Sequence, residues 1–216
     1  MIEVELVRAK AELHEATQQV QAAKDDERRQ LQQRLRELES KVEELEGERK
    51  KRRVRQVYVF EHARLLDKAL KECSQRLLII APWITGKVVD DTLLLKLKGA
   101  LRRGVKVHIG YGISQNPDKR LTQADKEAEA NLVRLAQEFR NFRFTRLGNT
   151  HAKVLICDSA FIVTGSFNWF SFKGDPNRTY RDEQSTLVEI PEHIEDVYQE
   201  QVKRFETDAL PSEREG

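Results

Sequence analysis

The chain from residue 57 onward alternates short apolar runs with amphipathic segments, and this alternation constrains the fold more than any other feature. The apolar runs are bounded by glycine, proline and polar residues, as buried strands are. Expected strands cover residues 76–82, 105–110, 142–147, 152–157, 160–164 and 185–190, and expected helices cover residues 57–74, 90–103, 123–139 and a segment starting at Pro191. Strands that alternate with helices predict an α/β fold, in which helices flank a mixed β-sheet.

The first 53 residues differ in composition, because they contain no proline and no aromatic residue. Apolar residues recur there in alternating steps of four and three, which forms a narrow stripe along a helix. The stripe comprises Ile2, Leu6, Ala9, Leu13, Ala16, Val20, Ala23, Leu31, Leu35, Leu38, Val42 and Leu45. The step from Ala23 to Leu31 is one residue too long, which indicates either one helix with a skip or a helical hairpin. We expect residues 1–55 to be a coiled-coil segment that associates through this stripe.

The end of this segment, from Arg49 to Arg55, is strongly cationic. These residues fit contacts with nucleic-acid phosphates, and they fit equally a solvated helix end whose cations favour the helix dipole. Both interpretations stay open at this stage. The expected division of the chain is an association segment at 1–55, a catalytic domain at 56–208 and a frayed tail at 209–216.

Composition excludes several classes of protein. The 216 residues carry 38 Lys and Arg against 36 Asp and Glu, and the mean hydropathy is −0.65, which argues against an integral membrane protein. The net charge of +2 argues against a polycationic coat for nucleic acid. Cys73 and Cys157 are too few for a disulfide framework, and no clustered histidines complete a zinc site. We expect a cytoplasmic protein without membrane partner, metal or cofactor, in which Cys157 is a buried packing residue.

Residues able to do chemistry are concentrated between positions 151 and 183. If Asp158-Ser159 is a two-residue turn between two strands, the numbers of paired residues sum to about 317. His151 then lies opposite Ser166, within about a residue, and Lys153 lies on the same strand face. An imidazole, a cation and neutral donors at one strand end suit a phosphoryl group.

The same geometry separates Asp158 from His151 by roughly 20 Å, at about 3.3 Å per strand residue. Asp158 is therefore expected at a turn or interface, and not as the partner of its own histidine. Gly165 permits a close approach of backbone beside the expected site. His108 is expected to be structural, and Phe167, Trp169, Phe170 and Phe172 to belong to the core rather than to stack on bases.

The pattern resembles the signature of the phospholipase D superfamily. It consists of His151, Lys153 and Asp158 in an H-x-K-x4-D spacing, followed by Gly165, Ser166 and Asn168 in a G-S-x-N spacing. The segments 77–85 and 103–107 are also similar to the opening strands of that superfamily, so the resemblance covers about residues 58–206.

The resemblance implies metal-independent hydrolysis of a phosphodiester through a phosphohistidine. Lys153, Ser166 and Asn168 would serve the phosphate, while Asp158 and Gly165 would be structural. Glu183 occupies the position of a family glutamate that orients the histidine. Arginine at position 181 replaces the family's asparagine, which leaves open whether Asp182 or Glu183 reaches the ring.

The resemblance also implies a homodimer, because the superfamily site uses two motifs and this chain has one. The other histidines are His14, His62, His108 and His193, and none has a lysine two positions later. Two chains would share one site, and the N-terminal segment would favour their pairing.

The expected substrate is DNA or RNA, with nucleic-acid contacts from Lys119, Arg120, Arg178 and Arg181. Such modules also occur fused to helicase-type proteins, so a helicase-type partner at the N-terminal helix is expected as well. Two alternatives stay open: a phospholipid phosphodiesterase of the same superfamily, and a non-catalytic module for dimerisation or docking.

Overall fold

A computed structural model describes residues 2–22, 25–112, 121–173 and 182–207. The chain divides into two compact units, residues 1–55 and residues 56–216. The expected tail at 209–216 lies outside the described residues. No helix in the described ranges has the length and apolar character needed to span a membrane.

The N-terminal unit is a helical hairpin, which is one of the two arrangements that the interrupted stripe allows. Helix α1 covers Ile2–Ala22 and helix α2 covers Asp25–Arg52. Leu6 and Ala9 of α1 form a buried cluster with Leu45 of α2, and Lys10 Nζ lies 2.6 Å from an oxygen of Glu46. The apolar stripe is therefore covered, at these positions, by the same chain.

The second unit is built on a seven-stranded mixed sheet, in the order β1-β7-β6-β5-β2-β3-β4. The strands are β1 Val54–Tyr58, β2 Arg76–Ala81, β3 Lys106–Tyr111, β4 Phe142–Arg146, β5 Val154–Cys157, β6 Phe161–Gly165 and β7 Gln184–Val188. Strands β2, β3 and β4 are parallel, whereas β5 is antiparallel to β2 and β6, and β6 to β7. The sheet confirms the predicted α/β class.

Helices cover both faces of the sheet. They are α3 Val59–Glu72, α4 Asp91–Arg102, α5 Gln123–Glu138 and α6 Pro191–Thr207. Successive side chains of a strand point to opposite faces. In β2, Leu77 and Ile79 join the core cluster that includes residues of α3, α4 and α5, whereas Leu78 and Ile80 join the cluster formed with α6. The result is a three-layer arrangement.

The start of the second unit differs from expectation. Residues 54–58 form the edge strand β1, and α3 begins only at Val59. The apolar spacing predicts one buried face for this helix, made of Phe60, Ala63, Leu66, Leu70 and Cys73. Leu66, Leu70 and Cys73 are buried as predicted, but Phe60 and Ala63 are exposed. At the start of the helix the buried side runs through Val59 and His62 instead, which lie three residues apart and so share one side of the helix.

The turn between β5 and β6 contains three residues, 158–160, and not two. Asp158 has φ +50°, and the Ala160 N–H donates to the Cys157 carbonyl at 3.0 Å. The extra residue moves the register by one, so that Val154 pairs with Thr164 and the paired numbers sum to 318. The ladder still brings the start of β5 beside the end of β6.

Cys73 and Cys157 form a disulfide, which was not expected from the sequence. The two residues are 84 positions apart, and their Cα atoms are 5.6 Å apart, within the usual range for this bond. Both side chains are buried, as expected for Cys157. The bond connects the end of α3 to the end of β5.

Candidate active site

The sheet topology brings four strand ends to one edge. His151 and Lys153 precede β5, Ser166 follows β6, Glu183 precedes β7 and Trp83 follows β2. Because β5 is antiparallel to both β2 and β6, and β6 is antiparallel to β7, these ends lie at the same edge. Segments far apart in sequence therefore supply one site.

His151 and Lys153 form the cationic side of this site. Lys153 Nζ lies 3.3 Å from Nδ1 and 3.4 Å from Nε2 of His151, and it donates to the His151 carbonyl at 2.9 Å. The imidazole is exposed, whereas Lys153 is 8% exposed. Burial lowers the pKa of Lys153, and the nearby Glu183 carboxylate opposes this change. The rings of Trp83 and His151 pack in a T-shaped arrangement, with 5.8 Å between ring centroids.

Ser166 and Glu183 form the second side. The Ser166 hydroxyl donates to Glu183 Oε2 at 2.5 Å and accepts from the Gln184 N–H at 3.0 Å. Glu183 is buried and Asp182 is exposed, so Glu183 is the carboxylate that enters the site. Within the described residues it contacts Ser166 and makes no hydrogen bond to the ring of His151.

Gly165 is required by the close approach of β6 to β7. A Cβ at this position would overlap Ser185 Oγ and the Gln184 carbonyl oxygen. The expectation that Gly165 permits close backbone contact agrees with this packing.

Asn168 follows on the same segment and is 7% exposed. Its Oδ1 has no hydrogen-bond partner among the described residues, whereas its backbone carbonyl accepts from the N–H groups of Ser171 and Phe172. A buried acceptor without a partner costs about 1–3 kcal/mol. Asn168 therefore has an unsatisfied buried acceptor two residues after Ser166.

Asp158 lies at the opposite end of β5 from His151, as expected. Its carboxylate accepts from the backbone N–H groups of Ser74, Gln75 and Arg76, at 2.8–2.9 Å. Burial raises the pKa of Asp158, but these hydrogen bonds outweigh it and hold the pKa below its usual value. The side chain fixes the loop between α3 and β2.

The buried histidines have different surroundings. His108 packs between the rings of Tyr198 and Phe205 in the α6 cluster. Burial first, and then the charges of Lys106 and Arg143, lower its pKa to about 4. These surroundings agree with the structural role expected for His108. Separately, Phe167, Trp169 and Phe170 are buried in the core, as expected for these aromatic residues.

His62 was not expected to contribute to the site. It is fully buried, and it contacts residues next to Ser166 and Glu183. Its Nε2 lies 2.7 Å from Ser185 Oγ, and its ring stacks on Phe167 at 4.2 Å. The sequence signal for its burial is the spacing Val59, His62, Leu66, Ala69, which is one apolar stripe. The sequence carries no signal that pairs it with Ser185.

Among the described residues, one group of three side chains has the donor types and spacing of a metal site: Cys73, Cys157 and Asp158. The two sulfur atoms are joined to each other and the carboxylate accepts backbone N–H groups. These donors are thus already used by the fold. The expected nucleic-acid contacts Lys119, Arg120, Arg178 and Arg181 lie outside the described residues.

Comparisons with solved structures identify the same fold. The phospholipase D family member Nuc from Salmonella typhimurium is 19% identical, has a TM-score of 0.53, and aligns with 73% of this chain and 95% of its own. NucT from Helicobacter pylori is 16% identical, has a TM-score of 0.52, and aligns over 73% and 97%. The archaeal chromatin protein TrmBL2, whose structure shows a mode of DNA binding, is 14% identical, has a TM-score of 0.51, and aligns over 84% and 67%.

A search of curated protein sequences gives no significant match. A family model, described as cardiolipin synthase, PLD-like domain, matches residues 66–207. That range contains β2 to β7 and every described residue of the site. The chain therefore belongs to the PLD-like domain family of the phospholipase D superfamily.

Proposed function

We propose that this protein is a metal-independent phosphodiesterase that cleaves DNA or RNA at an active site shared by two chains. The observation that supports the proposal most is that the contact of Lys153 with His151 lies at the same edge of the sheet as the hydrogen bond from Ser166 to Glu183. These side chains offer an exposed imidazole as nucleophile, an ammonium group, a hydroxyl and a carboxylate. A phosphodiester needs this combination.

The proposed reaction has two displacements at phosphorus. First, a ring nitrogen of His151 forms a bond to phosphorus, the bond from phosphorus to the leaving oxygen breaks, and the partner's His151 gives that oxygen a proton. In the second displacement, the partner's His151 takes a proton from water, the oxygen of that water bonds to phosphorus, and the phosphorus–nitrogen bond breaks. Lys153 and the amide of Asn168 would stabilise the charge on the non-bridging oxygens.

The proposal of a second chain is supported by the positions of the other histidines of the second unit. His62 and His108 are buried in the core, and His193 lies on α6. None of them has a lysine two positions later, as the motif requires. A two-fold axis near His151 would supply the second imidazole.

Nucleic acid is the substrate that the surroundings of His151 favour. The half-buried Trp83 ring contacts the exposed imidazole, and an aromatic ring beside a scissile phosphate can stack on a base. The proposal also includes contacts of four cationic side chains with the phosphates of the nucleic acid, those of Lys119, Arg120, Arg178 and Arg181. The DNA binding of TrmBL2, which shares the fold, is in keeping with it. A helicase-type partner at the N-terminal hairpin stays a prediction.

A phospholipid substrate is the main competing proposal. The description of the family model names cardiolipin synthase. The structure of phosphatidylserine synthase from Haemophilus influenzae also has the fold, with 17% identity and a TM-score of 0.50 over 70% of this chain and 38% of its own. A non-catalytic docking module is less favoured, because His151, Lys153, Ser166 and Asn168 of the motif are all present.

A substrate panel in excess EDTA tests the proposal. Single-stranded DNA, duplex DNA, RNA and phosphatidyl substrates are incubated with the wild-type protein and with His151→Ala. We expect nucleic acid to be cleaved by the wild type alone. Cleavage of phosphatidyl substrates with inert DNA and RNA would establish the lipid alternative, and equal activity of His151→Ala would contradict the role of the histidine. His193→Ala, at an exposed histidine of α6, is the matched control.

A further inference from the structure

His62 lies behind the site and is held by two directed contacts. Its Nδ1 is 3.1 Å from the Val59 carbonyl oxygen, and its Nε2 is 2.7 Å from the Ser185 hydroxyl. A carbonyl can only accept, so Nδ1 carries the proton and donates. Nε2 of the neutral ring then accepts from the Ser185 hydroxyl.

The neutral form is also favoured by the surroundings of the ring. Burial lowers the pKa of His62, against the smaller opposing effects of the Val59 and Tyr58 carbonyls and of the carboxylates of Glu183 and Glu61. The ring is fully inaccessible to solvent. Its tautomer is therefore set by contacts within the chain.

His62 contacts two chain segments that carry site residues, called here the two arms. One is residues 165–167 at the end of β6, and the other is residues 183–185 at the start of β7. On one side its ring stacks on Phe167, with planes 9° apart, and Phe167 directly follows Ser166. On the other side it bonds to Ser185, which pairs with Gly165 in the β6–β7 ladder. Ser185 stands two residues after Glu183.

The two arms meet in the hydrogen bond from Ser166 to Glu183. The two arms are packed closely against each other, because a single added Cβ at Gly165 would already overlap Ser185. A buried side chain that packs on one arm and accepts a hydrogen bond from the other fixes their separation. Helix α3 is thus connected, through the contacts of His62 with Phe167 and Ser185, to the polar groups at the sheet edge.

We infer that His62 is a positioning residue, which holds Ser166 and Glu183 in register through Phe167 and Ser185. The inference rests on the proposed function, since it concerns the same site. His62 itself touches no substrate. Its effect reaches the phosphate through the two arms.

Two substitutions break the link from opposite sides. His62→Phe keeps a flat ring against Phe167 and removes the acceptor, and Ser185→Ala removes the donor. We expect each to lower kcat/KM about 10-fold to 100-fold, because displaced groups bind the phosphate less well and small displacements around a reacting centre have effects of this size. The double variant should lose no more than either single variant, because both break the same hydrogen bond.

His108→Phe is the matched control. His108 is also buried and also has a lowered pKa, but it lies in the α6 cluster on the other face of the sheet. Thermal unfolding of every variant separates loss of folded protein from loss of rate per folded molecule. If His62→Phe does not fold, Ser185→Ala and His62→Gln carry the same comparison.

A second measurement makes the inference independent of the natural substrate. The affinity of each variant for inorganic phosphate, followed by the NMR signals of the His151 ring, should fall in His62→Phe and Ser185→Ala and stay constant in His108→Phe. Phosphate binding that is unaltered in the first two variants would overturn the inference, and so would independent, additive losses in the double variant. A wild type that binds phosphate but leaves DNA and RNA intact would contradict the proposed nuclease activity alone.

Discussion

The hydroxyl of Ser166 lies 2.5 Å from Oε2 of Glu183, and this hydrogen bond joins the end of β6 to the start of β7. The family resemblance implied that a carboxylate at position 182 or 183 orients His151. The observed hydrogen bond of Glu183 is to Ser166 instead. The bond is short and partly buried, and it is the closest polar link between the two arms.

Removal of the charge at Glu183 should reduce the reaction rate. We expect Glu183→Gln to lower kcat by about 10-fold to 100-fold, because a neutral amide accepts the Ser166 hydroxyl less strongly and the serine loses its fixed position. Steady-state kinetics of the proposed cleavage provide the measurement. Asp182→Asn is the matched control, because Asp182 is adjacent and exposed. Equal losses in the two variants would contradict the role given to Glu183.

Replacement of Asp158 should destabilise the fold without a specific effect on the site. Asp158→Ala leaves three backbone N–H groups of residues 74–76 without their acceptor, so we expect a loss of about 2–4 kcal/mol in the free energy of unfolding. Urea unfolding measures this change. A variant as stable as the wild type would show that the carboxylate does not hold the loop.

The same residue predicts a dependence of stability on pH. The pKa of Asp158 is lower in the folded protein than in the unfolded chain, so the ionised carboxylate stabilises the fold above the unfolded pKa of about 3.9. That contribution is lost as the pH falls through the folded pKa. In Asp158→Asn the difference from wild type should therefore shrink as the pH is lowered below about 4. A constant difference across that range would contradict the prediction.

Gly165→Ala should be poorly tolerated because the added methyl group overlaps Ser185 and the Gln184 carbonyl. Overpacking of this kind typically costs about 1–3 kcal/mol. The control is Gly99→Ala in α4, where the nearest atom to the added Cβ is 3.8 Å away and alanine favours the helix. Thermal unfolding should show a lower melting temperature for the first variant alone. Similar melting temperatures would mean that β6 and β7 can separate easily.

Trp83→Ala should weaken the binding of nucleic acid more than the binding of inorganic phosphate. Stacking of one base on an aromatic ring contributes about 1–3 kcal/mol, so the Kd for an oligonucleotide should rise about 5-fold to 150-fold. Trp83→Phe keeps an aromatic face and serves as the control. Fluorescence anisotropy with a labelled oligonucleotide in EDTA, using proteins that also carry His151→Ala, measures binding without cleavage. An unchanged Kd would remove Trp83 from the binding surface.

The elements of the sheet were largely predictable because apolar runs such as Leu77–Ile80 and Leu155–Cys157 are buried on both faces. Strand β1 was missed because VRQVY follows a cationic helix end and buries only Val57. The one-residue error in register came from the extra residue in the turn at Asp158. The motif spacing correctly predicted that the start of β5 lies beside the end of β6, since this depends on one local hairpin.

Contacts between residues far apart in the chain could not be predicted from the sequence. His62 and Ser185 are 123 residues apart, and their pairing requires α3 to lie against β7. The disulfide between Cys73 and Cys157 likewise joins positions separated by 84 residues. Periodicity gives the buried face of a single element, but it does not give the partner of that face.

Identification of the covalent intermediate tests the central claim most directly. An oligonucleotide with a radioactive internal phosphate is mixed with the wild-type protein in excess EDTA, quenched in alkaline detergent, and the labelled peptide is identified. The account predicts label on His151, stable in alkali and lost in acid, with none on His151→Ala. Product formation with no label on His151, or with label on another residue, would contradict it.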